Sequence, residues 1–75
     1  MNKQFELGDK VELLEDIKNE RGDGIHIANK GTIGYVCDAE YPDLVSIDAK
    51  NANGEDDYFD VYNKQIKLLE KSNLK

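Results

Sequence analysis

Hydrophobic side chains in this chain fall at alternate positions in short runs: Val11 and Leu13, Val45 and Ile47, Phe59 and Val61. A period of two is the signature of a half-buried strand, because successive side chains leave a strand on opposite faces. Five such segments follow in order, separated by turn residues. The first, Lys10 to Leu13, is entered through Leu7-Gly8-Asp9, where glycine can supply the positive φ of a tight turn. The second, Thr32 to Cys37, carries an internal Gly34, which is expected to mark a bulge or a sharp bend. A polar turn from Asp38 to Pro42 leads to the third, Leu44 to Asp48, with Val45 and Ile47 on the core side. The stretch Ala49 to Glu55 contains Asn53-Gly54, the strongest short-range hairpin signal, and returns the chain as Tyr58 to Tyr62. Asn63-Lys64-Gln65 fits a single 3₁₀ turn before the last alternating segment, Ile66 to Leu68. Glu15 to Lys30 is a long polar stretch broken by Gly22 and Gly24, and a loop of that length in a small domain points to a use. Together these features predict an all-β chain folded as a small five-stranded barrel or a tightly bent pair of sheets.

Size decides what such a chain can do. With 75 residues it reads as one domain over residues 7–69, flanked by tails at 1–6 and 70–75. A domain this small buries only a little over ~60% of its unfolded surface. Its stability is expected at roughly 3–5 kcal/mol, with little left to sustain a strained, enclosed active site, so the reading is of a protein that is not an enzyme. The single cysteine, Cys37, excludes an internal disulfide and reads as a small strand residue. No apolar run is long enough to cross a bilayer or to act as a signal peptide, and the expected location is the reducing cytoplasm. His26, the only histidine, sits in Ile25-His26-Ile27 with no nucleophile or second acid-base group at a supporting spacing. No catalytic residue, cofactor or metal is expected.

Charge is distributed unevenly. The formal net charge of -6 conceals a middle segment, residues 38–60, in which Asp38, Glu40, Asp43, Asp48, Glu55, Asp56, Asp57 and Asp60 face Lys50 alone. Residues 61–75 are basic, with Lys64, Lys67, Lys71 and Lys75 against Glu70. Nucleic-acid affinity comes from cationic side chains that release counterions from phosphate, and the middle segment repels phosphate, so direct nucleic-acid binding is disfavoured. RNA or ribosome binding through the four C-terminal lysines is the weakest of the functional readings.

The order of parts resembles the SH3-like barrel superfamily, and within it the bacterial and phage barrels that open on a Gly-Asp-Lys-Val phrase. The resemblance rests on Leu7-Gly8-Asp9-Lys10-Val11-Glu12-Leu13 and on Lys30-Gly31-Thr32-Ile33-Gly34-Tyr35-Val36, and it spans residues 7–69. It implies that Glu15 to Lys30 occupies the place of the RT loop and Asn63-Lys64-Gln65 that of the 3₁₀ turn. The second segment is also similar to the KOW motif of ribosome and polymerase partners. Such barrels serve many functions, so the resemblance implies a fold more than an activity. The chain contains no tryptophan, which departs from the aromatic groove of polyproline-binding SH3 domains.

Candidate sites follow from the acidic middle and the tyrosines. Asn51 to Asp57 offers oxygen ligands around a glycine, but setting Gly54 at the sixth place of an EF-hand loop puts Ala49 at the first and Asp60 at the twelfth. That excludes the motif. Tyr58 is out of phase with Phe59 and Val61 and should face outward, and Tyr41 lies exposed between an acidic turn and Pro42, while about two of the four tyrosines are expected in core or rim packing. The predicted partner surface is therefore Tyr41, Tyr58, Asp38, Glu40, Asp43, Glu55, Asp56 and Asp57, offered to a basic patch on another protein. The alternative is a nucleic-acid mimic of phage or mobile-element type, whose carboxylates imitate phosphates on an enzyme that binds nucleic acid. The expected state is a monomer or a weak homodimer, since exposed strand edges can pair two copies.

Overall fold

The alternation of Val11 and Leu13, of Val45 and Ile47, and of Phe59 and Val61 becomes one buried face. In the computed structural model, which describes residues 5–18 and 26–72, all six side chains are buried. The strands are β1 (Lys10–Leu13), β2 (Ile17–Lys18), β3 (His26–Ala28), β4 (Ile33–Asp38), β5 (Leu44–Lys50), β6 (Asp56–Tyr62) and β7 (Ile66–Glu70), with a 3₁₀ turn at Asn63–Gln65. The five segments expected from sequence are β1, β4, β5, β6 and β7, and they form one antiparallel sheet in the order β6-β5-β4-β1-β7. The sheet does not close, so β6 and β7 are its edges.

The stretch expected as a long loop contains a second, two-stranded sheet: Ile17 pairs with Ala28, and Lys18 with His26. Its cause is apolar. Ile17 and Ala28 are both buried in the same core as Leu13 and Ile47, and burying two anchors there offsets the cost of ordering a polar segment. Ala52 N–H, in the loop between β5 and β6, donates to the Ile27 carbonyl at 2.7 Å. That hairpin loop is therefore tied to β3 rather than wholly solvated.

Gly34 is not a bulge. It pairs regularly with Val11 on β1 and Ala49 on β5, and the irregularity in the β4–β5 ladder falls instead between Val36 and Asp38. Glycine is required because the neighbouring strand β5 comes too close for a side chain: a Cβ there would stand 2.6 Å from the Asp48 carbonyl oxygen and 2.8 Å from Ala49 Cβ. At the β5–β6 hairpin, Gly54 takes φ +81°, and Asn51 Oδ1 accepts the N–H groups of Asn53 and Glu55. The asparagine side chain thus replaces backbone partners in the loop.

Two features of the ends follow from contacts distant in sequence. Phe5, assigned to the N-terminal tail by sequence, is buried in the core. Asp9 is fully buried: its carboxylate accepts Glu6 N–H at 2.9 Å and Ser72 N–H at 2.8 Å, with Lys71 Nζ at 3.5 Å. Burial pushes the Asp9 carboxyl upward, but the two backbone donors and the Lys71 charge outweigh it and hold its pKa below the ordinary carboxylate value. Lys71 also pairs with Glu6 at 3.1 Å. One side chain therefore joins the entry turn of β1 to the residues just past β7. Leu68, expected to alternate inward with Ile66, is 44% exposed.

Candidate binding surface

Because Gly34 and Val36, Val45 and Ile47, and Phe59 and Val61 face the core, the residues between them must face outward. The strand registers then arrange these outward residues in rows. Tyr35 on β4 lies opposite Asp48 on β5, which lies opposite Tyr58 on β6. In the next row Ser46 lies opposite Asp60, and its hydroxyl donates to the Asp60 carboxylate. Leu44 and Tyr62 form the third. Beyond the first row, Lys50 and Asp56 form an exposed ion pair of 2.6 Å.

Two shallow depressions open on this face. The first is bounded by Tyr35, Asp48 and Tyr58, with Ile33, Ala49, Asp57 and the Lys50–Asp56 ion pair at its margin. The second is bounded by Asp38, Glu40, Tyr41 and Asp60, with Leu44 and Ser46. The eight residues expected to form one surface are thus divided. Asp56, Asp57 and Tyr58 belong to the first depression, and Asp38, Glu40 and Tyr41 to the second. Asp43 is in neither; it lies near Tyr62, and its carbonyl accepts Asn63 N–H at 3.0 Å. Glu55 stays in the hairpin loop, its N–H held by Asn51.

All four tyrosines are exposed, Tyr58 by 72%, Tyr41 by 60%, Tyr35 by 52% and Tyr62 by 44%, so none is a core residue. Sequence reasoning left out Tyr35, Asp48 and Asp60. Tyr35 is out of phase with Val36 just as Tyr58 is with Phe59, and that signal was available without the structure. What the sequence lacks is the register that sets Asp48 between the two tyrosines.

The electrostatics of the face are acidic. Cys37, exposed on β4, has its thiol pKa pushed up by partial burial and then by the carboxylates of Asp48 and Asp38. A thiol so placed is a poor nucleophile at neutral pH. His26 is exposed, with Nε2 at 2.9 Å from the carbonyl of Ala28 on its own strand. Among the described residues, no group of three His, Cys, Asp or Glu side chains is arranged to hold a metal ion. No helix of the described residues is long and apolar enough to cross a membrane. Comparison with family models, with curated proteins and with solved structures finds no match.

Proposed function

We propose that this protein is a non-enzymatic binding module that presents its tyrosine-bearing, acidic β4–β5–β6 face to a basic surface on a partner protein. The observation that carries the reading is the Tyr35–Asp48–Tyr58 row: two exposed aromatic side chains flank a carboxylate that has no hydrogen-bond or ion-pair partner among the described residues. Exposed tyrosine offers a large contact area at low entropic cost, and unpaired carboxylates raise the association rate with a cationic partner and reject anionic ones. A shallow face of this kind suits recognition better than catalysis, which needs enclosed and mutually oriented groups.

We also propose that the sheet is an SH3-like barrel left open. The strand order β7-β1-β4-β5-β6, with a 3₁₀ turn between β6 and β7 and a long excursion between β1 and β4, supports this reading. Its place of work is proposed to be the cytoplasm, on the single unpaired cysteine. Direct RNA binding is disfavoured further by the described lysines past β6, Lys75 lying outside the described residues. Lys67 stands 3.7 Å from Glu12, Lys71 is engaged by Glu6 and Asp9, and Lys64 lies 6.0 Å from the centre of the Tyr62 ring.

The test is affinity capture from native lysate with the tagged wild-type chain and with a Tyr41→Ala, Tyr58→Ala double variant, at low and at high salt. A basic protein retained by the wild type and lost by the variant is the expected result. Equal retention by both chains contradicts the reading. Retention of a nucleic-acid-processing enzyme that disappears steeply with salt would transfer the assignment to a phosphate mimic.

A further inference from the structure

The open edge of β6 narrows how a partner can bind. Asn63 N–H bonds back to Asp43 and Asn51 N–H to the Glu55 carbonyl, so in this antiparallel ladder the N–H groups of Tyr58 and Tyr62 point away from β5, toward the edge. Both are already occupied: Asp57 Oδ1 accepts the first at 2.8 Å and Gln65 Oε1 the second at 2.8 Å. A peptide adding itself as a further strand would have to displace two side chains from these amides, and Asp57 sets a negative charge there as well. With the Tyr58 and Tyr62 amides taken on either side of Asp60, a continuous ladder along this edge requires their displacement, and the side chains that stand on the face are the more accessible surface.

On that face the first depression has a definite chemistry. Tyr35 and Tyr58 stand on strands two intervals apart, roughly 10 Å by ordinary strand spacing, and Asp48 rises from the strand between them. The interval between the two exposed side chains is wide enough to admit one flat group. The carboxylate below asks for a cation, and the exposed Ile33 beside it asks for an apolar stem. The nearest cation on the face, Lys50, is taken by Asp56 at 2.6 Å. Lys10, opposite Tyr35 on β1, limits the site on the far side.

Building on the proposed binding face, we infer that the Tyr35–Asp48–Tyr58 row is the seat for an arginine side chain of the partner protein, with the guanidinium between the rings and paired to Asp48. A guanidinium is planar, stacks on aromatic faces and matches a carboxylate with two parallel hydrogen bonds. An ammonium can do only the last of these, and as a point charge. The row therefore distinguishes arginine from lysine.

The experiment is a titration of the full-length, ¹⁵N-labelled chain with an acetylated, amidated Gly-Arg-Gly peptide and with its Gly-Lys-Gly counterpart, followed by amide chemical shifts. The arginine peptide is expected to move the resonances of Tyr35, Asp48 and Tyr58 and to bind roughly threefold to fivefold more tightly than the lysine peptide. Asp48→Asn and Tyr58→Ala should each remove most of that preference. Both positions are exposed, and an unchanged amide spectrum elsewhere shows that each variant folds. Equal affinity for the two peptides overturns the inference. So does a response confined to Asp38, Glu40 and Tyr41, which would leave the acidic face intact as the binding surface but move the seat. No response anywhere on β4, β5 and β6 overturns the inference and also counts against the reading beneath it.

Discussion

On the side of the sheet formed by β1 and β7, charged groups answer one another: Asp9 is met by Lys71 and two backbone amides, Glu6 by Lys71, and Glu12 by Lys67. On the outer face of β4, β5 and β6 the carboxylates are not met by cations, apart from Asp56. Asp60 is hydrogen-bonded to a neutral neighbour, Ser46, and Asp48 has no such partner among the described residues, while Asp57, opposite Ala49, is in phase with Phe59 on the other side of the sheet. The two regions hold similar residue types and use them differently. Paired charge on the first side closes the ends of the fold, whereas the second carries carboxylates without a cation, the feature on which the proposed binding role rests. Composition alone, a net charge of -6, says nothing of this division.

The comparison can be broken at several points, and the largest effect lies beneath both regions. Ile47 is fully buried at the centre of the sheet, so Ile47→Ala should cost about 2–5 kcal/mol, as much as a domain of this size has. Circular dichroism at room temperature should show a largely unfolded chain.

Next in size is the paired side. Asp9→Ala leaves the Glu6 and Ser72 amides and Lys71 without their shared acceptor, and should cost about 1–3 kcal/mol, measured as a lowered urea midpoint at unchanged slope. The same group sets a pH dependence. Because the folded-state pKa of Asp9 is depressed, its contribution is complete above the ordinary carboxylate value, about 3.9, and is lost as pH falls through the lower folded value. Urea midpoints of the wild type should therefore fall on acidification in that window, and those of Asp9→Asn should fall less.

The smallest effects on stability belong to the outer face. Tyr58→Ala and Asp48→Asn should each stay within about 0.5 kcal/mol of the wild type, since neither side chain is buried and Asp48 has no hydrogen bond or ion pair to lose among the described residues. Comparable losses of stability at Asp9 and Asp48 would dissolve the distinction between the two sides.

Much of this fold was legible from the residues. The five principal strands, the inward sets and the 3₁₀ turn at Asn63–Gln65 follow from period-two alternation and turn chemistry, which act over a few residues. The parts that were not legible depend on contacts far apart in sequence. Asp9 reads as an ordinary turn residue until Ser72 arrives beside it, 63 positions later. Gly34 reads as a bulge or bend until β5 is set close beside it. Ile17 and Ala28 pair within a stretch too polar to announce a strand. The candidate site shows the same limit: the outward phase of Tyr58 could be read locally, but its alignment with Asp48 and Tyr35 is a matter of register between three strands.

The central claim is that the β4–β5–β6 face meets the partner while the β1–β7 side only holds the fold. Its most direct test is the amide spectrum of the ¹⁵N-labelled chain recorded with and without the purified protein that it captures. Shift changes should gather at Tyr35, at Ser46 to Lys50 and at Asp56 to Tyr62, with Glu6 to Asp9 and Ile66 to Ser72 unmoved. Changes gathered at the Asp9 turn and along β7, with the outer face silent, would contradict it.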